Sequence, residues 1–225
     1  MFHTDYNIFF AFLTSLFITY VAIPRVIFFA EKFRLADVPG ERSSHKRTVP
    51  IFGGIAIFSG IILSLLFWAD ISKIQFVLVS LCIVFFLGII DDLLGLTPYK
   101  KIMGQICSIL IIIYFGDIKI DSMHGVFGIY EIPHLVSTCF TAFVIIVITN
   151  GINLIDGVDG LAGGIGFISS CAFCMVIMSF GDYDMAIIAF SLMGSLLAFL
   201  KYNFPPAKLF MGNTGLLLAK VQLLW

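Results

Sequence analysis

The chain has 225 residues, of which 60% are hydrophobic and only 12% are charged, and its formal net charge is −1. A soluble domain usually carries about a quarter charged residues, so this composition excludes a water-soluble globular protein and indicates an integral membrane protein. The sequence contains no long basic tract, and we expect no nucleic-acid partner. The five cysteines lie in apolar runs and are interpreted as small buried side chains.

About 20 apolar residues are needed to cross a bilayer as an α-helix. By this measure the sequence predicts one all-α polytopic membrane domain over 1–225, with the apolar run after Phe210 as the start of an eighth span. The first apolar run lacks a small-residue cleavage site and is interpreted as a retained helix. The predicted spans cover residues 7–29, 51–69, 74–90, 102–116, 135–150, 163–180 and 185–200.

The connections between these spans differ in their basic residues, which predicts the orientation of the chain. One set of alternate connections is rich in lysine and arginine, whereas the other set holds only Lys73 and Lys119. The basic set is therefore predicted to be cytoplasmic, with the N-terminus outside. Its basic residues are Lys32, Arg34, Arg42, Lys46, Arg47, Lys100, Lys101, Lys201 and Lys208. The longest connection of the other set, "GDIKIDSMHGVFGIYEIPH", carries the glycine and proline signals of a hairpin.

The first predicted cytoplasmic connection contains the basic run "RSSHKR" and then Gly53 and Gly54. Its charges are consistent with membrane topology alone. They also fit a cationic wall for a phosphorylated substrate, with the two glycines allowing close backbone approach.

Asp91 and Asp92 lie where the third predicted span ends. The C-terminus of a helix carries partial negative charge, so two carboxylates there are unfavourable unless a cation is near. One interpretation is a solvated helix end. The other is a divalent metal site or a general base, with the local field offset by a metal or by Lys100 and Lys101.

The segment "NGINLIDGVDGLAGG" places a polar residue at every third position after the fifth predicted span. These residues would converge only if the helix is broken, and Gly151, Gly157 and Gly160 offer places for a break. A set of oxygen ligands without cysteine or histidine favours Mg²⁺ or Mn²⁺ over zinc. The four polar residues are Asn150, Asn153, Asp156 and Asp159.

Four motifs, in the order "DVPGERSSHKRTVPIFGG", "DDLLGLTPYKKIMGQ", "NGINLIDGVDGLAGG" and "AKLFMGNTG", resemble those of the polyprenyl-phosphate N-acetylhexosamine-1-phosphate transferases. These are the MraY- and WecA-like enzymes of glycosyltransferase family 4, and the fuller likeness is to the WecA-like branch. The resemblance implies that the phosphate of an undecaprenyl-phosphate-like lipid attacks the sugar-proximal phosphorus of a UDP-N-acetylhexosamine. UMP then leaves, and a lipid-diphosphate-sugar for cell-envelope polysaccharide forms at the cytoplasmic face of the bacterial inner membrane.

The resemblance also implies roles for residues and partners. It makes Mg²⁺ or Mn²⁺ the expected cofactor, and the expected partners are the nucleotide sugar, the polyprenyl phosphate, the membrane and a second copy of the chain in a homodimer. The candidate catalytic residues are Asp91, Asp92, Asp156 and Asp159, the candidate substrate-binding residues are His45, Lys46, Asn150 and Asn153, and the candidate metal ligands are Asp91, Asp92 and Asn213. Which of Asp91 and Asp92 is the base stays open. Further candidates are Lys100 or Lys101, Gln105 and Lys208.

The sequence departs from the family pattern in two places. The family has an aspartate, expected to bind the metal, where this chain has Asn213. The family also continues through further helices and a loop rich in histidine and arginine, so we expect this chain to be a C-terminally truncated member. Two alternatives to an active transferase stay open. One is an inactive member that retains lipid or partner binding, and the other is an ion-coupled transporter, because glycine-broken helices with carboxylates also build such sites. The acidic residues cluster at one predicted face and no inverted repeat is visible, which disfavours the transporter.

Overall fold

A computed structural model of the chain describes residues 2–33, 36–37, 49–156, 158–212 and 214. Within these residues it contains seven α-helices, and the all-α prediction is confirmed. The helices are Phe2–Lys32 (α1), Gly53–Trp68 (α2), Ile71–Leu94 (α3), Pro98–Phe115 (α4), His134–Ile155 (α5), Leu161–Phe180 (α6) and Tyr183–Asn203 (α7). Strands β1 (Ala36–Asp37) and β2 (Val49–Pro50) form one short antiparallel pair.

Each helix overlaps one predicted span, and the main differences lie at the ends. Within the described residues, α1, α3, α5, α6 and α7 contain stretches long and apolar enough to cross a membrane, and α2 is a shorter apolar helix. Helices α3 and α5 extend past their predicted ends because apolar runs mark only the part of a helix that suits hydrocarbon. The predicted eighth span lies outside the described residues except for its first few positions.

Helix α7 forms the centre of the bundle and packs against α1, α2 and α6. In its most apolar stretch 67% of the residues are buried, against 17–33% for the other four spanning helices. Phe199 and Leu196 are among its fully buried side chains. Helix α3 packs against α2, where Phe85 stacks on Phe58 with ring centroids 3.7 Å apart. The C-terminal end of α7 is therefore held at a fixed position, and the candidate site begins there.

Small and hydroxyl-bearing residues line the junction of α1, α2 and α7. Ser64 donates to the carbonyl of Ala11 at 2.8 Å and lies 2.9 Å from the hydroxyl of Ser191. Thr19 donates to the carbonyl of Ala56 at 3.3 Å. Close helix approach through small residues is the usual way in which membrane helices associate, because lipid supplies no hydrophobic drive between them.

Replacing Gly60 by alanine is expected to destabilise this junction. A Cβ atom at Gly60 would overlap the Thr19 hydroxyl and lie 2.8 Å from both the Ser15 carbonyl oxygen and the Ser195 hydroxyl. Overpacking of this kind costs about 1–3 kcal/mol, which thermal unfolding of the purified protein in detergent micelles will measure. Gly164→Ala in α6 is the matched control, since a Cβ there meets no heavy atom within 4 Å. Equal unfolding temperatures for the two variants would contradict this packing.

Candidate functional site

Parts of all four sequence motifs meet at one end of the helix bundle. This end comprises the last turns of α3, α5 and α7, the first turns of α2, α4 and α6, and residues 204–212 and 214 after α7. Hydrogen bonds join Asp92 to Thr214, Asp156 to Gly212 and Asp159 to Ala207. The acidic residues of two separate motifs thus converge on the fourth motif.

Asp91 is bound to the start of the next helix. Its Oδ1 accepts a hydrogen bond from the backbone N–H of Leu96 at 2.9 Å, and its Oδ2 lies 2.7 Å from the Lys101 ammonium. Only 8% of the Asp91 side chain and 16% of the Lys101 side chain are exposed. Lys101 therefore supplies a cation that offsets the charge at the end of α3, one of the two arrangements that the sequence left open.

Asp92 points to a different partner from its neighbour. Its Oδ2 accepts hydrogen bonds from both the backbone N–H of Thr214, at 3.0 Å, and the Thr214 hydroxyl, at 2.6 Å. The sequence separation between the two residues is 122. Adjacent carboxylates on one helix turn are thus directed to separate elements: Asp91 toward α4, and Asp92 toward the segment after α7.

The second acidic motif is helical over more of its length than the sequence predicted. Of the glycines that offered places for a break, Gly151 does not interrupt the helix, since α5 continues through it to Ile155. Asn150 lies within this regular helix, where its amide donates to the Ile146 carbonyl at 2.9 Å. A Cβ at Gly151 would contact nothing within 4 Å. The helical backbone hydrogen bonds continue across this glycine.

The turn in this motif falls later, at residues 156 and 158–160. Gly160 has φ +74°, a left-handed conformation that favours glycine, and it forms the N-cap of α6. Asp156 Oδ2 accepts from the backbone N–H of Gly212 at 3.2 Å. Asp159 Oδ2 accepts from the backbone N–H of Ala207 at 3.0 Å. Asp156 and Asp159 are therefore brought to the segment after α7 by the turn, and Asn150 stays one turn or more behind them on the helix.

The segment around Phe210 is fixed against the start of α2 by main-chain hydrogen bonds. Gly53 N–H donates to the Phe210 carbonyl at 3.0 Å, and Phe210 N–H donates to the Pro50 carbonyl at 2.8 Å. Gly212 has φ +72°, and a Cβ there would overlap the Ile51 carbonyl oxygen and lie 3.1 Å from Asp92 Oδ2. Position 212 therefore requires glycine both for its conformation and for the close approach of Asp92.

Asn203, the last residue of α7, joins two parts of the site, and sequence reasoning missed it. It is 2% exposed. Its Oδ1 accepts from Gly160 N–H at 2.9 Å, and its amide nitrogen donates to the Leu209 carbonyl at 2.9 Å. An asparagine that ends an apolar helix is the signal that could have indicated it, because a buried amide normally has defined partners.

Changing Asn203 to aspartate is expected to weaken this junction. Aspartate keeps the acceptor for Gly160 but loses the donor to Leu209, and it places a carboxylate against a carbonyl. A broken buried hydrogen bond of this kind costs about 1–3 kcal/mol, which the thermal unfolding temperature in detergent will report. Lys208→Ala changes an exposed side chain of the same segment and is expected to leave stability unchanged. An unfolding temperature of Asn203→Asp equal to that of the parent would disprove the role of the amide donor.

Several candidate residues lie outside the described residues or outside the convergent group. His45, Lys46 and Asn213 are outside the described residues, as is the side chain of Asn153. Gln105 is 3% exposed, and neither atom of its amide has a hydrogen-bond partner among the described residues. Lys100 and Lys208 are exposed.

The described residues contain no group of three or more histidine, cysteine, aspartate or glutamate side chains placed to hold a metal ion. Asp92 and Asp156 nevertheless hydrogen-bond to residues only two positions apart, 214 and 212. Carboxylate oxygens are the ligands that Mg²⁺ prefers. The donor chemistry therefore fits Mg²⁺, and the number of described ligands is smaller than a complete site needs.

Fold and site together define a multi-pass membrane protein with an acidic site at one end of its helix bundle. The family model described as "Glycosyl transferase family 4" matches residues 74–223. The chain therefore belongs to glycosyl transferase family 4, as the four motifs indicated.

Curated relatives of two kinds are similar to the chain. The phospho-N-acetylmuramoyl-pentapeptide-transferase of Borrelia turicatae is 32% identical over 95% of this chain and 70% of its own length. The decaprenyl-phosphate N-acetylglucosaminephosphotransferase of Mycobacterium leprae is 32% identical over 94% of this chain and 58% of its own length. The undecaprenyl-phosphate alpha-N-acetylglucosaminyl 1-phosphate transferase of Haemophilus influenzae is 31% identical, over 85% and 56%. The chain thus spans part of the length of each relative, and the identities are nearly equal across the two kinds.

Proposed function

We propose that this chain transfers an N-acetylhexosamine-1-phosphate from a UDP-sugar to a polyprenyl phosphate, releasing UMP and forming a lipid-diphosphate-sugar. The observation that carries the proposal is the convergence of Asp92 and Asp156 on residues 212 and 214. The names of relatives from both branches describe transfer of a phosphosugar, and two of them name a polyprenyl phosphate. UDP-N-acetylglucosamine is the donor that we propose, following the likeness to the WecA-like branch.

Electrostatics explain why such a reaction needs this kind of site. Two anionic phosphates must approach each other, and their repulsion has to be offset by positive charge. We propose that Asp92 and Asp156, with Asn213 as the third oxygen ligand, hold Mg²⁺, which supplies that charge when bound. Lys101 and the basic first connection, including Lys46 and His45, are the proposed fixed cations.

The different partners of Asp91 and Asp92 support different roles for the two carboxylates. One oxygen of Asp91 accepts a hydrogen bond from Lys101 of α4, and the other accepts from Leu96 in the turn that precedes α4. We therefore assign to Asp91 the task of orienting Lys101, and to Asp92 the direct contact with the metal or the reacting phosphate. For Asp159, whose Oδ2 accepts from Ala207 N–H, we propose a contact with the nucleotide.

The orientation of the membrane domain follows from charge. The described basic residues of these connections, which include Lys32, Lys101 and Lys208, lie at the same end of the bundle as the acidic motifs, and from the positive-inside rule we infer that this end faces the cytoplasm. We propose a bacterial inner-membrane location with the site facing the cytoplasm, where nucleotide sugars are available. The lipid phosphate then reaches the site from within the bilayer and the nucleotide sugar from water.

The function is tested with the chain in lipid vesicles supplied with radiolabelled UDP-N-acetylglucosamine, undecaprenyl phosphate and Mg²⁺. Label is expected to pass into the organic-solvent extract in step with UMP release, and both signals should stop when the lipid phosphate is omitted or EDTA is added. No UMP release would overturn the proposal for this chain. Sodium- or proton-driven uptake by the same vesicles would support the transporter instead.

A further inference from the structure

The connection between α4 and α5, at the end of the bundle opposite the acidic motifs, forms a small hairpin. Ser122 and Glu131 pair as an antiparallel bridge, and Met123 N–H donates to the Tyr130 carbonyl at 3.0 Å. Ile132 N–H closes the base on the Asp121 carbonyl at 2.9 Å. The sequence predicted a hairpin here, and this is confirmed.

The base of the hairpin is hydrogen-bonded to side chains of α5 that lie further along that helix than its first residue. Ile120 N–H donates to the Thr141 hydroxyl at 2.9 Å, and its carbonyl accepts from the Ser137 hydroxyl at 2.8 Å. Thr141 lies seven residues into α5, which is about 10 Å along a helix that rises about 1.5 Å per residue. Measured along the axis of α5, the chain therefore enters the hairpin beside the stretch of α5 that is long and apolar enough to span a membrane.

The strands of the hairpin also lie beside α5. A cavity of about 250 Å³ is lined by Met123 and Ile129 of the hairpin together with Val136 and Phe140 of α5. Val136 and Phe140 lie within the stretch His134–Ile152, one of the candidate membrane spans. The body of the hairpin thus lies beside the first turns of a spanning helix, where the bilayer interface must be.

The tip of the hairpin carries large apolar and aromatic side chains that nothing in the described chain covers. Phe127 is 91% exposed and Tyr130 is 70% exposed, with Val126 and Ile129 also exposed. Phe127 has φ +56°, a conformation that is costly for a bulky residue. Backbone strain of this kind persists only where the surrounding structure enforces it, and here it presents the exposed Phe127 ring outside the protein.

We propose that residues 126–130, the hairpin tip, insert into the interface of the bilayer half opposite the acidic motifs. The exposed face of α5 continues into the tip through Leu135 and Val136, which are exposed on its first turn. Aromatic side chains favour this depth of a membrane. This contact anchors the α4–α5 connection without any part in transfer chemistry.

Tryptophan fluorescence with brominated lipids tests this placement independently of any enzymatic activity. Phe127→Trp, and Tyr130→Trp as a second variant, are reconstituted in phosphatidylcholine–phosphatidylglycerol vesicles with bromine near the headgroup end of the acyl chains. The signal of the parent protein, which has two tryptophans, is subtracted. Leu135→Trp on α5 is the control for a lipid-facing position.

The added emission of the Phe127→Trp variant is expected to be blue-shifted and quenched by the brominated lipid to within a factor of about two of the Leu135→Trp signal. Red-shifted emission that acrylamide quenches and brominated lipid does not would overturn the proposal, because the tip would then lie in water. Blue-shifted emission without lipid quenching would overturn it in favour of a protein partner or a second copy of the chain. Either result leaves the proposed transfer reaction unaffected.

Discussion

UMP release is expected to fall by about two to three orders of magnitude when Asp92 is replaced by asparagine, the scale on which loss of one electrostatic group acts in an active site. The amide keeps one oxygen and nearly the same shape, but it removes the negative charge that we propose for the metal or the reacting phosphate. The change is measured as initial rates of UMP release from vesicles at saturating UDP-sugar and lipid. Circular dichroism of the same samples checks that the helices remain.

Three further variants test whether the loss of rate belongs to Asp92 and its partner at the site. Asp182 is a carboxylate at the opposite membrane face, where it accepts from Met185 N–H, and Asp182→Asn is expected to retain the parent rate. Thr214→Val removes the hydroxyl that donates to Asp92 at 2.6 Å, whereas Thr214→Ser keeps it. The valine variant should therefore be slower than the serine variant. Full activity of Asp92→Asn would remove Asp92 from the proposed chemistry.

Replacing Asn213 by aspartate is expected to raise transfer and to lower the Mg²⁺ concentration for half-maximal rate by about tenfold or more, the scale on which changes around a bound metal act. An amide offers a carbonyl oxygen to a cation but no negative charge, and the family pattern has an aspartate at this position. Residues 212 and 214, on either side, bind Asp156 and Asp92. A Mg²⁺ titration of UMP release for parent and variant measures both quantities.

The Asn213 prediction also decides between a working enzyme and an inactive family member. If the parent releases no UMP and Asn213→Asp does, the departure at position 213 accounts for the inactivity. Asn7→Asp introduces the same charge at the opposite end of the bundle, beside Asp70 and Asp182, and is expected to change neither rate nor Mg²⁺ dependence. A weaker Mg²⁺ response in Asn213→Asp would contradict the ligand role.

The helices, their order and the grouping of polar motifs at one face could be predicted from the sequence, because apolar length and alternate charge determine them. The contact of Lys101 with Asp91 could also be predicted, because both residues lie near one short connection. The convergence of Asp92 on Thr214 was not, because it joins residues 122 positions apart and depends on how α3 packs against the end of α7.

Glycine composition is misleading at one point of the sequence. Gly151 was one of three glycines that offered a place for a break, yet α5 passes through it to Ile155, and the turn before α6 includes Gly160. A glycine lowers helix propensity by about 1 kcal/mol, and this is too little to interrupt a helix that packing continues to support. Asn203 was missed for the opposite reason, since its importance comes from two partners, Gly160 and Leu209, that no local pattern reveals.

The segment 203–212 is joined to the start of α2, to the turn before α6 and, through Asp156, to the end of α5. These contacts connect parts of the chain that are synthesised and inserted at different times. The acidic site therefore cannot exist in a partly inserted chain, and the carboxylates are gathered only when the last of these helices has docked. Assembly of the bundle is thus a precondition for the acidic site.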